Sequence, residues 1–223
     1  LSELNLIDFY DFWLCEEIGL ANENIRKLNL KESLPSDISS LNIAVLIKKE
    51  KIYSNNNLPL FGIKDSVFKT FNDRPNLLTK REVRVQILAD LELPKNGVIW
   101  DIGAGCGSIG LEALKLRPNL DLFCIDKRIG SKALILENSK RLGVKPKFIF
   151  EEDIIKTLST RNLSSFEKPN RLVIGGCDKK TKLQIINSFD HWMSIGDIIV
   201  IPIIDFQTIK ELKEELEDKN FKT

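Results

Sequence analysis

Between Val98 and Ala113 the chain reads VIWDIGAGCGSIGLEA, and its glycines fit two cofactor turns in overlapping registers. Gly105, Gly107 and Gly110 spell G-x-G-x-x-G, the spacing that cradles the pyrophosphate of a dinucleotide such as NAD or FAD. Gly103, Gly105 and Gly107 spell G-x-G-x-G, and Asp101 stands two residues earlier. Either turn lets a ligand approach bare backbone and aims free N–H groups at it from a helix N-terminus. The carboxylates decide between the two. Asp101, at the end of the preceding strand, would repel a pyrophosphate, whereas the ammonium and sulfonium of S-adenosylmethionine are cationic and suit it. The dinucleotide register also begins too far beyond Asp101 for a turn that should start as the strand ends. Asp126 closes the next apolar run, LFCID, where a carboxylate accepts both ribose hydroxyls of an adenosine. Asp153, in FEED, ends a third run and stands where it would bond the adenine amine. Asp101, Asp126 and Asp153 thus mark three successive strand ends, the ligand edge of an open α/β sheet. The turn is read as an S-adenosylmethionine site.

The elements that must hold these residues are legible from Leu78 onward. GVIWDIG, LDLFCID, KPKFIFEED, NRLVIGG and DIIVIPII read as strands, and SIGLEALKLR, SKALILENSKRLG, KTKLQIINSFDHWM and FQTIKELKEELEDKNF as helices between them. Continuous apolar strands alternating with amphipathic helices imply a doubly wound, mostly parallel sheet of Rossmann-like α/β class. The stretch LTKREVRVQILADLEL adds a leading helix, with Thr79 as N-cap and Glu82 completing a capping box. Residues 1–58 are less regular. LNIAVLIKK is a strand, and FYDFWLCEEIG fits strand or helix on pattern alone.

Composition excludes several classes. With 223 residues, 43% of them hydrophobic, the chain can bury one large core plus a smaller piece. Lys+Arg 33 against Asp+Glu 32 leaves no basic excess, which argues against a dedicated nucleic-acid binder. Cys15, Cys106, Cys124 and Cys177 form no C-x-x-C pair, and His191 is the single histidine, so neither a metal site nor a secreted disulfide framework is expected. A Ser-His-Asp triad would have to use His191, which reads instead as a helix surface residue. No apolar run is long enough to span a membrane.

One combination of motifs resembles a known family. Thr79, Lys80, Glu82 and Arg84, then Trp100 to Ser108, then Ile174, Gly175 and Gly176 match T-K-x-E-x-R, W-D-I-G-A-G-x-G-S and a strand ending in I-G-G. The chain from about residue 61 is similar in these to the decarboxylating precorrin-6Y methyltransferases of cobalamin biosynthesis. LCEEIGLANENIRKLNLKE and SLNIAVLIKK resemble the end of the tetrapyrrole methylase that precedes such a domain in fused enzymes, which favours strand for FWLCEEIG. The resemblance implies a class I S-adenosylmethionine-dependent methyltransferase that methylates carbon 15 of a precorrin and removes carbon dioxide from an acetate side chain. It divides the chain into a remnant at 1–58, too short to bury a core of its own, a linker at 59–77 and a methyltransferase domain at 78–223. The last strands of that fold would lie beyond Thr223.

Carried across residue by residue, the cofactor contacts fall on Thr79, Asp101, Gly103, Ala104, Gly105, Cys106, Gly107, Asp126, Asp153 and Ile154. Lys80 and Arg84 are expected to meet substrate carboxylates, and Gly175 and Gly176 to leave room for a flat macrocycle. No catalytic acid or base and no metal is implied. The family implies a cytoplasmic homo-oligomer, commonly a tetramer, without nucleic-acid or membrane partners. The alternatives are a class I methyltransferase for RNA or another small molecule, which the absence of a D/N-P-P-Y signature disfavours for bases, and a non-catalytic scaffold. An NAD-dependent dehydrogenase is disfavoured by Asp101.

Overall fold

The computed structural model describes residues 10–29, 32, 34–48, 58–160, 167–189 and 192–223; His191 lies outside them. The chain divides into two compact units, one within residues 1–52 and one within 53–223.

In the first unit β1 (Tyr10–Glu16), β2 (Asn24–Leu28) and β3 (Asn42–Lys48) form an antiparallel sheet in the order β2-β1-β3. The ambiguous FWLCEE stretch is therefore the central strand. Leu14 is the one buried apolar side chain of this unit among the described residues. Beside it Glu16 is buried too, accepting from the Ser39 N–H at 2.8 Å and paired with Arg26 at 2.9 Å.

The second unit is the expected α/β sandwich. Its sheet is built from β4 (Gly97–Ile102), β5 (Leu120–Ile125), β6 (Phe148–Phe150), β7 (Arg171–Ile174) and β8 (Ile198–Val200), all parallel, in the order β6-β5-β4-β7-β8. Period-two alternation sorts each strand onto two faces. Ile99, Leu122, Cys124 and Val173 point to one, which is covered by α1 (Arg81–Asp90), α2 (Ser108–Leu116) and α3 (Ser131–Leu142). Trp100, Ile102, Phe123, Ile125, Leu172 and Ile174 point to the other, covered by α4 (Ile154–Thr160), α5 (Lys179–Phe189) and α6 (Phe206–Asp218). As the sequence suggested, α3 closes on Gly143 in the left-handed conformation.

Two expectations need correction. Residues 59–77 are no free linker: Ile63, Val67 and Phe68 are buried in the first core, so this stretch is a strap packed on the domain. The leading helix begins at Arg81, with Lys80 as an N-cap that makes no side-chain cap bond, rather than with a Thr79–Glu82 box. The carbonyl of Thr79 is taken instead by the Arg84 guanidinium.

The strand order places the site. From β4 the chain runs outward through β5 and β6, then returns to the other side of β4 for β7 and β8. The reversal makes a crevice beyond the C-terminal ends of β4 and β7, the switch point where open α/β sheets bind ligands.

Candidate functional site

The glycine turn leaves β4 at this switch point, and the Gly175–Gly176 turn leaves β7 beside it. Gly103 (φ +72°) lies so close to the second turn that a Cβ on it would meet the Gly176 nitrogen at 2.8 Å. A Cβ on Gly175 would in turn meet the Gly103 carbonyl oxygen at 3.3 Å. Gly103 and Gly175 thus let two strand-end backbones touch, a packing reason that stands beside the substrate room expected of Gly175 and Gly176. Gly105 (φ +58°) differs: nothing lies within 4 Å of where its Cβ would stand, so the turn is open there. Gly107 (φ +79°) caps α2 in the left-handed region, and its N–H closes the turn on the Ala104 carbonyl at 2.8 Å.

Asp126 sits beside this opening. Its Oδ2 accepts from the Gly105 N–H at 2.7 Å and its Oδ1 from the Arg128 N–H at 2.8 Å. Each carboxylate oxygen keeps a second lone pair for a ligand hydroxyl. Asp126 is half-buried, so it ties the turn to the loop after β5 while still reaching solvent.

Asp101 is placed differently from its expectation. Alternation puts it on the α2 face, where Oδ2 accepts from the Gly110 N–H at 3.0 Å. It is 1% exposed, and its Oδ1 has no hydrogen-bond partner among the described residues. Burial pushes this carboxyl up to about 7, against the pull of the Gly110 hydrogen bond and with a smaller push from Asp126. It is a floor group beneath the turn, not a lip of the crevice. Gly110, the glycine that completed the dinucleotide register, is a packing glycine: a Cβ there would meet Leu122 Cδ1 at 2.7 Å. The physical reason for the second register is close helix–sheet contact.

Other expected contacts are also employed within the fold. Asp153 caps α4, accepting from the Ile155 N–H at 2.9 Å, while Ile154 is buried beside it. Cys106 turns its side chain into the core, where burial pushes the thiol up to about 11, so only its backbone faces the turn. Arg84 is the clearest correction. It is fully buried, with Nε on Glu112 at 3.0 Å, Nη1 on Asp65 at 2.7 Å and on the Thr79 carbonyl, and Nη2 on the Ile63 carbonyl. Its guanidinium also lies 4.7 Å from the centre of the Phe68 ring. No substrate carboxylate can reach it.

Glu112, also buried, accepts in addition from the Gly62 and Ile63 N–H groups. Together Arg84 and Glu112 clasp the strap to α1 and α2, a pair that sequence reading missed. Lys80 remains exposed. At the start of α5, Lys179 pairs with Glu211, and Lys182 donates to the Pro202 carbonyl at 3.4 Å, tying α5 to the last strand's exit.

This geometry fits S-adenosylmethionine: an open glycine position, a half-exposed carboxylate beside it and a buried carboxyl with an unmatched oxygen below. Among the described residues no group of three or more His, Cys, Asp or Glu side chains could hold a metal ion, and no helix is long and apolar enough to cross a membrane.

Residues 70–213 match the model of the precorrin methyltransferase domain. The chain belongs to that family. Its relatives include a Saccharolobus solfataricus protein named "Probable cobalt-precorrin-6B C(15)-methyltransferase (decarboxylating)", 32% identical over 162 residues, which span 72% of this chain and 78% of that one. A Sinorhizobium precorrin-6Y C(5,15)-methyltransferase [decarboxylating] is 32% identical over 120 residues, 53% of this chain but only 27% of its own length. Among solved structures, the precorrin-6y C5,15-methyltransferase of Geobacter metallireducens GS-15 superposes with a TM-score of 0.64 at 30% identity, covering 74% of this chain and 84% of that one. The domain is a class I, S-adenosylmethionine-dependent methyltransferase of the precorrin methyltransferase family.

Proposed function

We propose that the chain methylates carbon 15 of a precorrin and decarboxylates an acetate side chain of the same macrocycle, in cobalamin biosynthesis. One observation carries the reading within this family: the open turn at Gly105, with Asp126 beside it, faces the switch-point crevice. S-adenosylmethionine, when bound, supplies an electrophilic methyl group on a cationic sulfur. The turn from Gly103 to Gly107 and Asp126 would hold it, and the Asp153–Ile154 backbone would meet its adenine. The protein's own part is then orientation and exclusion of water rather than acid or base catalysis. At the substrate side, the bare backbone of Gly175 and Gly176 lets a flat ring lie near the turn, and exposed Lys80 supplies a cation to a polycarboxylate.

We read residues 1–58 as the end of a preceding tetrapyrrole methylase half. The short share of the Sinorhizobium relative that the chain matches supports a fused origin. The methyltransferase unit then starts within the strap rather than at Leu78. All four cysteines are free thiols, which suits a cytoplasmic enzyme. A homo-oligomer, a tetramer by family resemblance, is the expected assembly, and light scattering tests it.

The deciding experiment is incubation with precorrin-6Y, or its cobalt form, and labelled S-adenosylmethionine. Label in the macrocycle with loss of one carbon dioxide supports the reading. Methylation without decarboxylation removes the second step from this half, and label in RNA instead of tetrapyrrole overturns the assignment. In calorimetry Asp126→Ala should cost about 1.5–3 kcal/mol of S-adenosylmethionine affinity, the worth of hydrogen bonds to a charged group.

A further inference from the structure

We infer that Asn138 is a positioning residue for the cofactor turn, and that through it the turn and the strap move as one body. The inference rests on reading that turn as the S-adenosylmethionine site. Asn138 lies on α3, fully buried. Its Nδ2 donates to the Cys106 carbonyl at 2.9 Å, inside the turn, and to the Lys69 carbonyl at 2.9 Å, on the strap. Its Oδ1 accepts from the Lys69 N–H at 2.8 Å. Both amide donors and the acceptor are therefore spent on backbone.

A turn with three glycines at positive φ has wide backbone freedom unless bonds fix it. It is fixed at every position: the Ile125 carbonyl accepts from the Gly103 and Ala104 N–H groups at 2.8 and 3.2 Å, and three further bonds follow. Asp126 holds the Gly105 N–H, Ala104 holds the Gly107 N–H, and Asn138 holds the Cys106 carbonyl between them. Only the last reaches outside the ligand edge.

The strap continues from Lys69 to the other end of the site. Phe71 lies under the Arg128 guanidinium at 4.4 Å, and Asp73 pairs with the same group. The Arg128 N–H in turn holds Asp126. The strap thus touches the turn through a buried amide and the ribose carboxylate through an exposed latch. An exposed ion pair contributes little and a buried, fully satisfied amide much more, so Asn138 is the dominant link. Coupling of this kind is reciprocal: whatever orders the turn must order the strap.

The test compares Asn138→Ala with Ile185→Ala, a control that loosens the opposite core face, well below the melting temperature of each. In Asn138→Ala, S-adenosylmethionine should bind about tenfold more weakly, while kcat at saturating cofactor stays within about twofold. Amide exchange at 103–107 and at Lys69 should quicken in this variant and not in the control. An unchanged cofactor affinity, or equal losses in both variants, would reduce Asn138 to a core residue and overturn the inference.

If Asn138→Ala does not fold, the wild type decides. Cofactor binding should slow exchange of the Lys69 amide, and no slowing sinks the coupling. A wild type that binds no S-adenosylmethionine defeats the cofactor reading itself. The exchange comparison at 103–107 without cofactor then still decides whether Asn138 joins turn and strap.

Discussion

The α1–α3 face of the parallel sheet buries ions and amides among its aliphatic side chains; the α4–α6 face buries aromatic rings. On the first, Arg84, Asp101, Glu112 and Asn138 are each 1% exposed or less. On the second, buried Trp100 stacks on buried Phe123 with ring centres 5.2 Å apart, the exposed Phe148 meets Phe123 at 5.0 Å, and half-buried Trp192 stands edge-on to Trp100 at 5.7 Å. Rings stabilise by area and tolerate rearrangement, whereas buried polar groups tolerate only the partners they have. The polar face is also the one whose residues fix the glycine turn. The difference separates adhesion from positioning, and five substitutions test it.

The largest effect belongs to the clasp. Arg84→Ala should lower stability by about 3–5 kcal/mol, because it leaves Glu112 buried without its cation. On the aromatic face Phe123→Leu, which keeps an apolar group of similar bulk, should cost less than about 1.5 kcal/mol. Urea denaturation of both variants measures the contrast, and equal losses would erase the distinction.

Asp101 gives the polar face a pH signature. Its carboxyl is raised from 3.8 to about 7 in the folded protein, so between these values the folded state holds a proton that the unfolded state has released. Stability is therefore full below the lower value, falls as pH rises through the window, and levels off above about 7. The whole fall amounts to about 4 kcal/mol. Asp101→Asn removes it, so the stability gap between variant and wild type should move in the variant's favour from pH ~4 to pH ~8. Parallel profiles would show that Asp101 is ionised in the fold.

Gly103→Ala tests the contact between the two strand-end turns. A left-handed φ and a backbone nitrogen at 2.8 Å leave no place for a methyl, and the strain should cost about 1–3 kcal/mol together with cofactor affinity. Lys80→Ala, at an exposed site, should leave the denaturation midpoint unchanged and raise the KM for the precorrin by less than about fivefold. A large stability loss there would mean that Lys80 is structural.

The sheet, its helices and the cofactor turn were readable because period-two strands and glycine spacing are local signals. The place of Asp126 beside the turn was readable for the same reason, since a carboxylate ending a strand needs no distant partner to be noticed. The clasp was not. Arg84 belongs to a family motif and carries charge, so it reads as a surface cation; Glu112, 28 residues away, together with Asp65 and two carbonyls lets it leave solvent. Asp101 was misplaced because strand-end position was weighed and strand parity was not: its neighbours Trp100 and Ile102 face the aromatic core, so it must face α2. The strap escaped because Ile63, Val67 and Phe68 make too short a pattern to mark an element, and nothing local distinguishes a packed irregular segment from a linker.

The strap also sets an order in time. It precedes its partners along the chain, Gly62 by 50 residues before Glu112 and Lys69 by 69 before Asn138. During synthesis it emerges ahead of all its partners: Arg84 follows Asp65 by 19 residues, and the most distant, Asn138, arrives only with α3. Until α2 and α3 are made the core that buries Ile63, Val67 and Phe68 is incomplete, and apolar surface left open in this way is what makes nascent chains prone to aggregate. The strap thus has its full set of bonds only when its most distant partner is in place, and the Cys106 carbonyl gains its bond from Asn138 no sooner.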